Sequence, residues 1–148
     1  MIQIERTRTL NANPDAVWAV LGRYMHINDF APAVAKVDAL TAGSDGVGSK
    51  RRCHFDNGGS MVEEVTDWQE GRGYSIRGSE LAPMPLTSLT AEIWIEPAGN
   101  GSKVAWSTAF QVKYGPLGWL LGQVMMKPMM GKVIDANLEG LAEESGRA

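Results

Sequence analysis

The stretch MMKPMMGKVIDANLEGL, Met125 to Leu141, decides how this chain folds. Within it and its lead-in, Met126, Met130, Val133, Ile134, Leu138 and Leu141 fall at helical spacing and form one apolar stripe. Pro128 lacks a backbone donor, so the helix should kink or restart near residues 124–127. A long helix with a single apolar side needs a partner surface to bury that side.

The partner lies upstream. Residues 2–10, IQIERTRTL, alternate Ile2 and Ile4 against polar neighbours, as a strand with one wet face does. Asn13-Pro14-Asp15 then combines an N-cap, a residue suited to the first helical turn and an acid for the positive dipole end, so a helix is expected over residues 14–23. A second, shorter helical turn is expected from Asn28 or Asp29, with Phe30 pointing inward. Residues 34–40 are extended, and residues 41–46 form a turn cluster. Strand-like runs follow at residues 47–55, 60–68, 73–80, 87–96 and 103–112, separated by the hairpin loops 56–59, 69–72 and 97–101. The series reads as an antiparallel meander of about seven strands.

Seven strands at about 4.8 Å make a sheet roughly 30 Å wide, whereas one helix covers only about 10–12 Å. The sheet can bury its apolar face only by curling around the helix. The expected fold is therefore α+β: a curved antiparallel sheet around a long C-terminal helix, with two short helices after the first strand and a pocket as the natural consequence.

This order resembles the helix-grip superfamily of START and birch-pollen-allergen-like domains. More narrowly, it is similar to the bacterial SRPBCC proteins of the polyketide cyclase/dehydrase and lipid-transport type. The residues that carry the resemblance are NPDAVWAVL at 13–21, DFAP at 29–32, GSKR at 48–51, EVT at 64–66 and GSKVAW at 101–106. They span nearly the whole chain. The resemblance implies a hydrophobic small-molecule partner (lipid, isoprenoid or aromatic) in an internal cavity. The alternative is an enzyme of the cyclase, aromatase or dehydratase kind using the same cavity, and fold alone does not fix function.

Composition bounds the rest. The 148 residues, 44 % hydrophobic and 21 % charged, suit a single domain over 1–148 with one core. A net charge of −3 and only one short basic run, Lys50-Arg51-Arg52, argue against nucleic acid. Cys53 stands alone, which excludes an intrachain disulfide and a cysteine-based metal cluster. The apolar stretch 117–130 is interrupted by Gly118, Gly122, Lys127 and Pro128, too short for an integral membrane segment. A reduced, cytoplasmic location with no cofactor is expected. The sequence carries no signal for oligomeric state.

Candidate site residues follow from strand alternation. Pairing Phe55 with Ser60 sets Cys53 opposite Val62 and Arg51 opposite Glu64. An inward face of Phe55, Cys53, Val62 and Trp68 then flanks an Arg51–Glu64 ion pair, while Lys50, Arg52, His54, Glu63 and Asp67 face solvent. The pair is either a polar anchor for a ligand head group or a rim salt bridge. Tyr74 should face inward near Trp68, as a ligand donor or a core aromatic. Val104, Trp106, Thr108 and Phe110 form the inward set of the last strand, opposite Leu89, Ala91, Ile93 and Ile95; a one-residue slip would bring Trp94 inward instead. Met126 and Met130 either line a pocket or fill the core. The loop 81–86 is either a lip at the entrance or a rigid connection.

Catalytic signals are few. His26 and His54 stand apart, and the chain has no G-x-S-x-G, H-E-x-x-H, paired cysteines or phosphate-binding glycine loop. Three readings remain open: a carrier of a hydrophobic molecule, an enzyme in which Arg51, Glu64 and Tyr74 polarise carbonyls or move protons, and an interaction module with a shrunken pocket.

Overall fold

The computed structural model describes residues 1–43 and 45–147; Ser44, in the expected turn cluster, and Ala148 lie outside it. Strand β1 (Ile2–Leu10) leads into α1 (Pro14–Leu21) and a 3-10 helix (Tyr24–Asp29). Strands β2 (Val34–Ala39), β3 (Lys50–Phe55), β4 (Ser60–Gln69), β5 (Gly73–Ser79), β6 (Leu86–Ala98) and β7 (Gly101–Val112) follow. The chain ends in α2 (Gly115–Leu121), a π-helical turn (Gly122–Met126) and α3 (Lys127–Arg147). One seven-stranded antiparallel sheet runs β1-β7-β6-β5-β4-β3-β2, so the first strand closes onto the last.

The local chemistry explains the boundaries. Asn13 caps α1 by accepting a hydrogen bond from the Ala16 amide at 2.9 Å, with Pro14 in the first turn. The 3-10 helix begins at Tyr24, not at Asn28 or Asp29: Asp29 closes it and pairs with Arg23 at 3.3 Å instead of capping. Phe30 is buried, as expected. The β6–β7 loop is a two-residue turn, Gly99-Asn100, with Ala98 opposite Gly101, tighter than the five-residue loop expected. Pro128 has its expected effect one turn upstream. It cannot donate to the carbonyl of residue 124, and the backbone there winds as a π turn.

Helix α3 packs against β1 and α1. Glycines permit this approach: a Cβ at Gly131 would press on Arg6 and Ile4, and one at Gly140 would collide with the carbonyl of Phe30. Ile134, Leu138 and Leu141 of the expected stripe are buried, whereas Val133 is exposed. On β6 and β7 the alternation holds: Ile93, Ile95, Leu89, Val104, Trp106 and Phe110 are buried, and Trp94 is only half-buried, opposite Ala105 on the other face.

One stretch departs from the expected register. His54, not Phe55, pairs with Ser60, which sets Arg51 opposite Glu63 and Arg52 opposite Val62. Glu63 is therefore buried and Glu64 is turned to the outer face, where it meets Arg77 at 3.1 Å. Val62 is buried, but beside Arg52 and outside the main core. A β-bulge between Val65 and Asp67 then restores the phase, so Trp68 still faces inward opposite Tyr74.

Candidate functional site

Behind α1, four aromatic rings share one cluster. Trp68 and Tyr74 stack at 5.2 Å, with planes 7° apart. Trp18 meets Trp68 edge-on at 5.2 Å, and Tyr24 meets Tyr74 edge-on at 5.4 Å. Each end of the cluster carries a charge. On the wet side, Glu70 accepts from the Trp18 indole at 3.1 Å and from the Trp68 indole at 2.8 Å, and these two donors hold its carboxyl below the usual range.

On the buried side stands Arg51, the largest fully buried side chain among the described residues. Its Nε and Nη2 donate to Glu63 Oε1 at 2.8 and 2.7 Å, and its Nη1 donates to the Tyr24 carbonyl oxygen at 2.5 Å. Its guanidinium carbon lies 3.8 Å above the centre of the Tyr24 ring. The Cys53 thiol adds a third donor to the same Glu63 oxygen at 3.2 Å. The Tyr24 hydroxyl donates to the Glu63 carbonyl at 2.9 Å, and the Tyr74 hydroxyl to the Leu21 carbonyl at 3.3 Å. The network ties the α1 region to β3, β4 and β5.

Its electrostatics are those of fixed charge. Burial by itself would lower the Arg51 pKa, but the Glu63 carboxylate outweighs it and holds the guanidinium above its ordinary value. Burial pushes the Cys53 thiol up, with Glu63 adding to the effect, and it pushes Tyr24 up as well. It raises Tyr74 to about 12. Thiol and phenols thus stay protonated at neutral pH, suited to donating hydrogen bonds and poorly suited to abstracting protons.

Sequence reasoning placed Arg51, Trp68, Tyr74 and Cys53 in one neighbourhood, and the structure brings them together. Glu64 does not join them; Glu63 takes its place. Phe30, Trp106, Phe110 and Met126 belong to the same continuous core as Cys53, Tyr24 and Tyr74, and Trp68 and Met130 pack against it. Phe30 meets Trp106 edge-on at 6.5 Å, Met126 is buried, and Met130 is partly buried against the core. His54 stays on the outer face with Asp38 at 2.7 Å, and His26 is exposed.

One residue that sequence reasoning passed over lies on the side of α3 that meets Phe30. Asn137 is 7 % exposed, and its Oδ1 is buried with no hydrogen-bond donor from the described residues. It lies one turn before Gly140, whose backbone abuts Phe30, and so shares that face of α3. The signal was available: an amide set between Ile134 and Leu138 in an otherwise apolar stripe.

Two surface depressions lie away from the Arg51 cluster. One, about 420 Å³ and almost wholly apolar, runs along α2 and the π turn between Tyr114 and Met125. The other, about 780 Å³, crosses the sheet between residues such as Glu5, Arg77, Thr90 and Glu92. Among the described residues no group of three His, Cys, Asp or Glu side chains converges, and no helix is long and apolar enough to cross a membrane.

A family model described as polyketide cyclase / dehydrase and lipid transport matches residues 1–146. The chain is 34 % identical over 95 residues to a probable intracellular pathogenesis-related protein T1 of Catharanthus roseus, a match covering 60 % of either protein. Among solved structures, it resembles the Zhui aromatase/cyclase of Streptomyces sp. R1128 with a TM-score of 0.82 at 22 % identity, covering 99 % of this chain and 94 % of that one. Ara h 8.0201 matches with a TM-score of 0.67 at 17 % identity over 95 % and 98 %. The protein XoxI of Bacillus cereus matches with 0.80 at 19 % over 97 % and 94 %. At these identities the structural likeness establishes the fold.

Proposed function

The chain belongs to the polyketide cyclase / dehydrase and lipid transport family, and from that premise we propose that it binds a hydrophobic small molecule between sheet and C-terminal helix. The contact surface in this reading is Phe30, Trp106, Phe110, Met126 and Met130. The observation that carries it is Asn137. A buried acceptor without a donor costs about 1–3 kcal/mol, and a hydroxyl on an otherwise apolar ligand would relieve that cost. A second support is residual accessibility on inward faces. Trp106 and Thr108 keep 7 % of their surface, and Ala91 and Met130 keep more. Flexible methionine side chains and a π turn above them suit ligands of varied shape.

In this reading Arg51, Trp68 and Tyr74 act as the rigid wall of the site rather than as its chemistry. Tyr74, Tyr24 and Cys53 are held protonated, and Glu63 is already engaged by Arg51 and Cys53. That arrangement favours binding over the proton transfers a cyclase or dehydratase would need. The enzymatic alternative rests on the likeness to the Streptomyces aromatase/cyclase, which is a likeness of fold.

Methionine methyl NMR tests the reading, because inward and outward methyls sit on the same helix. Titration with a fatty acid and with a polycyclic phenol should shift Met126 and Met130 while leaving Met125 and Met129 in place. No shift at the inward pair, with either compound, would sink the proposal. Turnover of a polyketide mimic, lost in Arg51→Lys while methyl shifts persist, would select the enzyme.

A further inference from the structure

Helix α2 and the π turn are built inside out. Their sheet-facing positions are Gly118 and Gly122: a Cβ at Gly118 would collide with the Lys113 carbonyl, and one at Gly122 with Ile2. Met126 alone of their bulky apolar side chains is buried, Leu121 is half-buried, and the others point to solvent. Leu117 is 74 % exposed, Val124 64 % and Met125 61 %, and Trp119, Leu120 and Met129 are each more than half exposed. Of these, Leu117, Leu120, Val124 and Met125 line the apolar groove of about 420 Å³, together with Tyr114 and Leu121. A face this size and this apolar marks a contact surface.

The charge around it identifies the partner. From residue 97 to residue 134 the chain contains no Asp or Glu, although its net charge is −3. Lys113, Lys127 and Lys132 adjoin these elements along the chain, and none of them is in an ion pair among the described residues. A second copy would fit poorly. A two-fold contact sets the same patch against itself, and residues 97–134 supply no acid to face its lysines. An anionic lipid surface satisfies both features: acyl chains take Leu117, Leu120 and Val124, headgroups take the lysines, and Trp119 and Tyr114 suit the boundary between them.

We infer that α2 and the π turn form a docking face for anionic bilayers, lying in the plane of the membrane surface. At about 1.5 Å per residue, the helix from Tyr114 to Met129 presents a strip roughly 24 Å long. The inference does not depend on any ligand in the interior.

Vesicle co-sedimentation of the full chain tests it. The protein should pellet with phosphatidylcholine vesicles containing phosphatidylglycerol, and far less with phosphatidylcholine alone. Leu120→Glu with Val124→Glu should cut the bound fraction about tenfold, and Lys113→Gln with Lys132→Gln should remove the preference for the anionic vesicles. All four positions are exposed, and circular dichroism of each variant checks that it folds. Binding to neither vesicle, equal binding to both, or a dimer in light scattering that Leu120→Glu dissolves, overturns the inference. Met126 and Met130 methyl shifts with soluble ligand would stand in any of these cases, so the two proposals fail separately.

Discussion

Arg51 is bound to Tyr24 twice, by a guanidinium carbon 3.8 Å above the ring and by a hydrogen bond from Nη1 to the same residue's carbonyl oxygen. The first contact uses the face of the side chain and the second uses the backbone. Together they fix where the 3-10 helix meets strand β3, and Glu63 supplies the balancing charge from β4.

Removing one partner of this buried pair should therefore be far costlier than removing both. Arg51→Met, which strands the Glu63 carboxylate, should lose about 3–5 kcal/mol in urea unfolding. Arg51→Met with Glu63→Leu should recover most of that loss. Glu64→Gln, on the exposed pair with Arg77, should cost less than about 1 kcal/mol. A double variant no more stable than Arg51→Met would show that the two charges are not coupled.

Glu70 should make stability pH-dependent on the acid side. Its folded pKa lies below the ordinary 4.5, owing to the Trp68 and Trp18 indoles. The stabilisation is therefore complete above that ordinary value and disappears as pH falls through the lower folded one. Wild type should exceed Glu70→Gln in stability at neutral pH, and the gap should close between about pH 5 and pH 2. A gap unchanged across that range would contradict the assignment.

Alkaline behaviour follows from Tyr24 and Tyr74, both raised by burial, Tyr74 to about 12. A raised folded pKa means stability that is whole below the ordinary phenol value of 10.0 and lost as pH climbs through the folded one. Absorbance near 295 nm should show these two phenols ionising only as the near-ultraviolet circular dichroism collapses. Tyr24→Phe should remove one phenol from that late step.

Gly140→Ala tests the contact between α3 and Phe30. The added methyl would meet the Phe30 carbonyl, and backbone has no rotamer to offer in response. A loss of about 1–3 kcal/mol is expected despite the better helix propensity of alanine. Gly146→Ala, with nothing nearby, should be neutral or slightly stabilising.

Asn137→Leu should separate stability from binding. Replacing an amide whose acceptor is orphaned should leave stability unchanged or raised, because the desolvation cost disappears. The Met126 and Met130 shifts induced by a phenol should weaken, while those induced by a hydrocarbon chain without hydroxyl should persist. If the variant loses stability instead, the amide is serving the fold.

Much of this is legible in the sequence. The Asn13 cap, the succession of strands, the inward row of β7 and the buried side of α3 all follow from periodicity and capping chemistry. Glu63 was not legible, for a definite reason. Alternation counts residues in twos, so an unforeseen extra residue in the β3–β4 loop and a bulge before Asp67 each reverse the count. Their effects cancel at Trp68 and not at Glu63, which is why one site residue was right and its neighbour wrong. Asn137 was readable but passed over, because the apolar stripe was traced by its apolar members. The sidedness of α2 was hidden for another reason: the apolar stretch 117–130 does not tell which side turns to the sheet, and here Gly118 and Gly122 take the inner side.

That last arrangement frees the outer side chains of α2 from the core. Backbone, not side chain, makes the seam with the sheet at Gly118 and Gly122, so Leu117, Leu120 and Val124 can be exchanged with little consequence for folding. Adhesiveness on this flank can thus drift, or be tuned, independently of thermodynamic robustness.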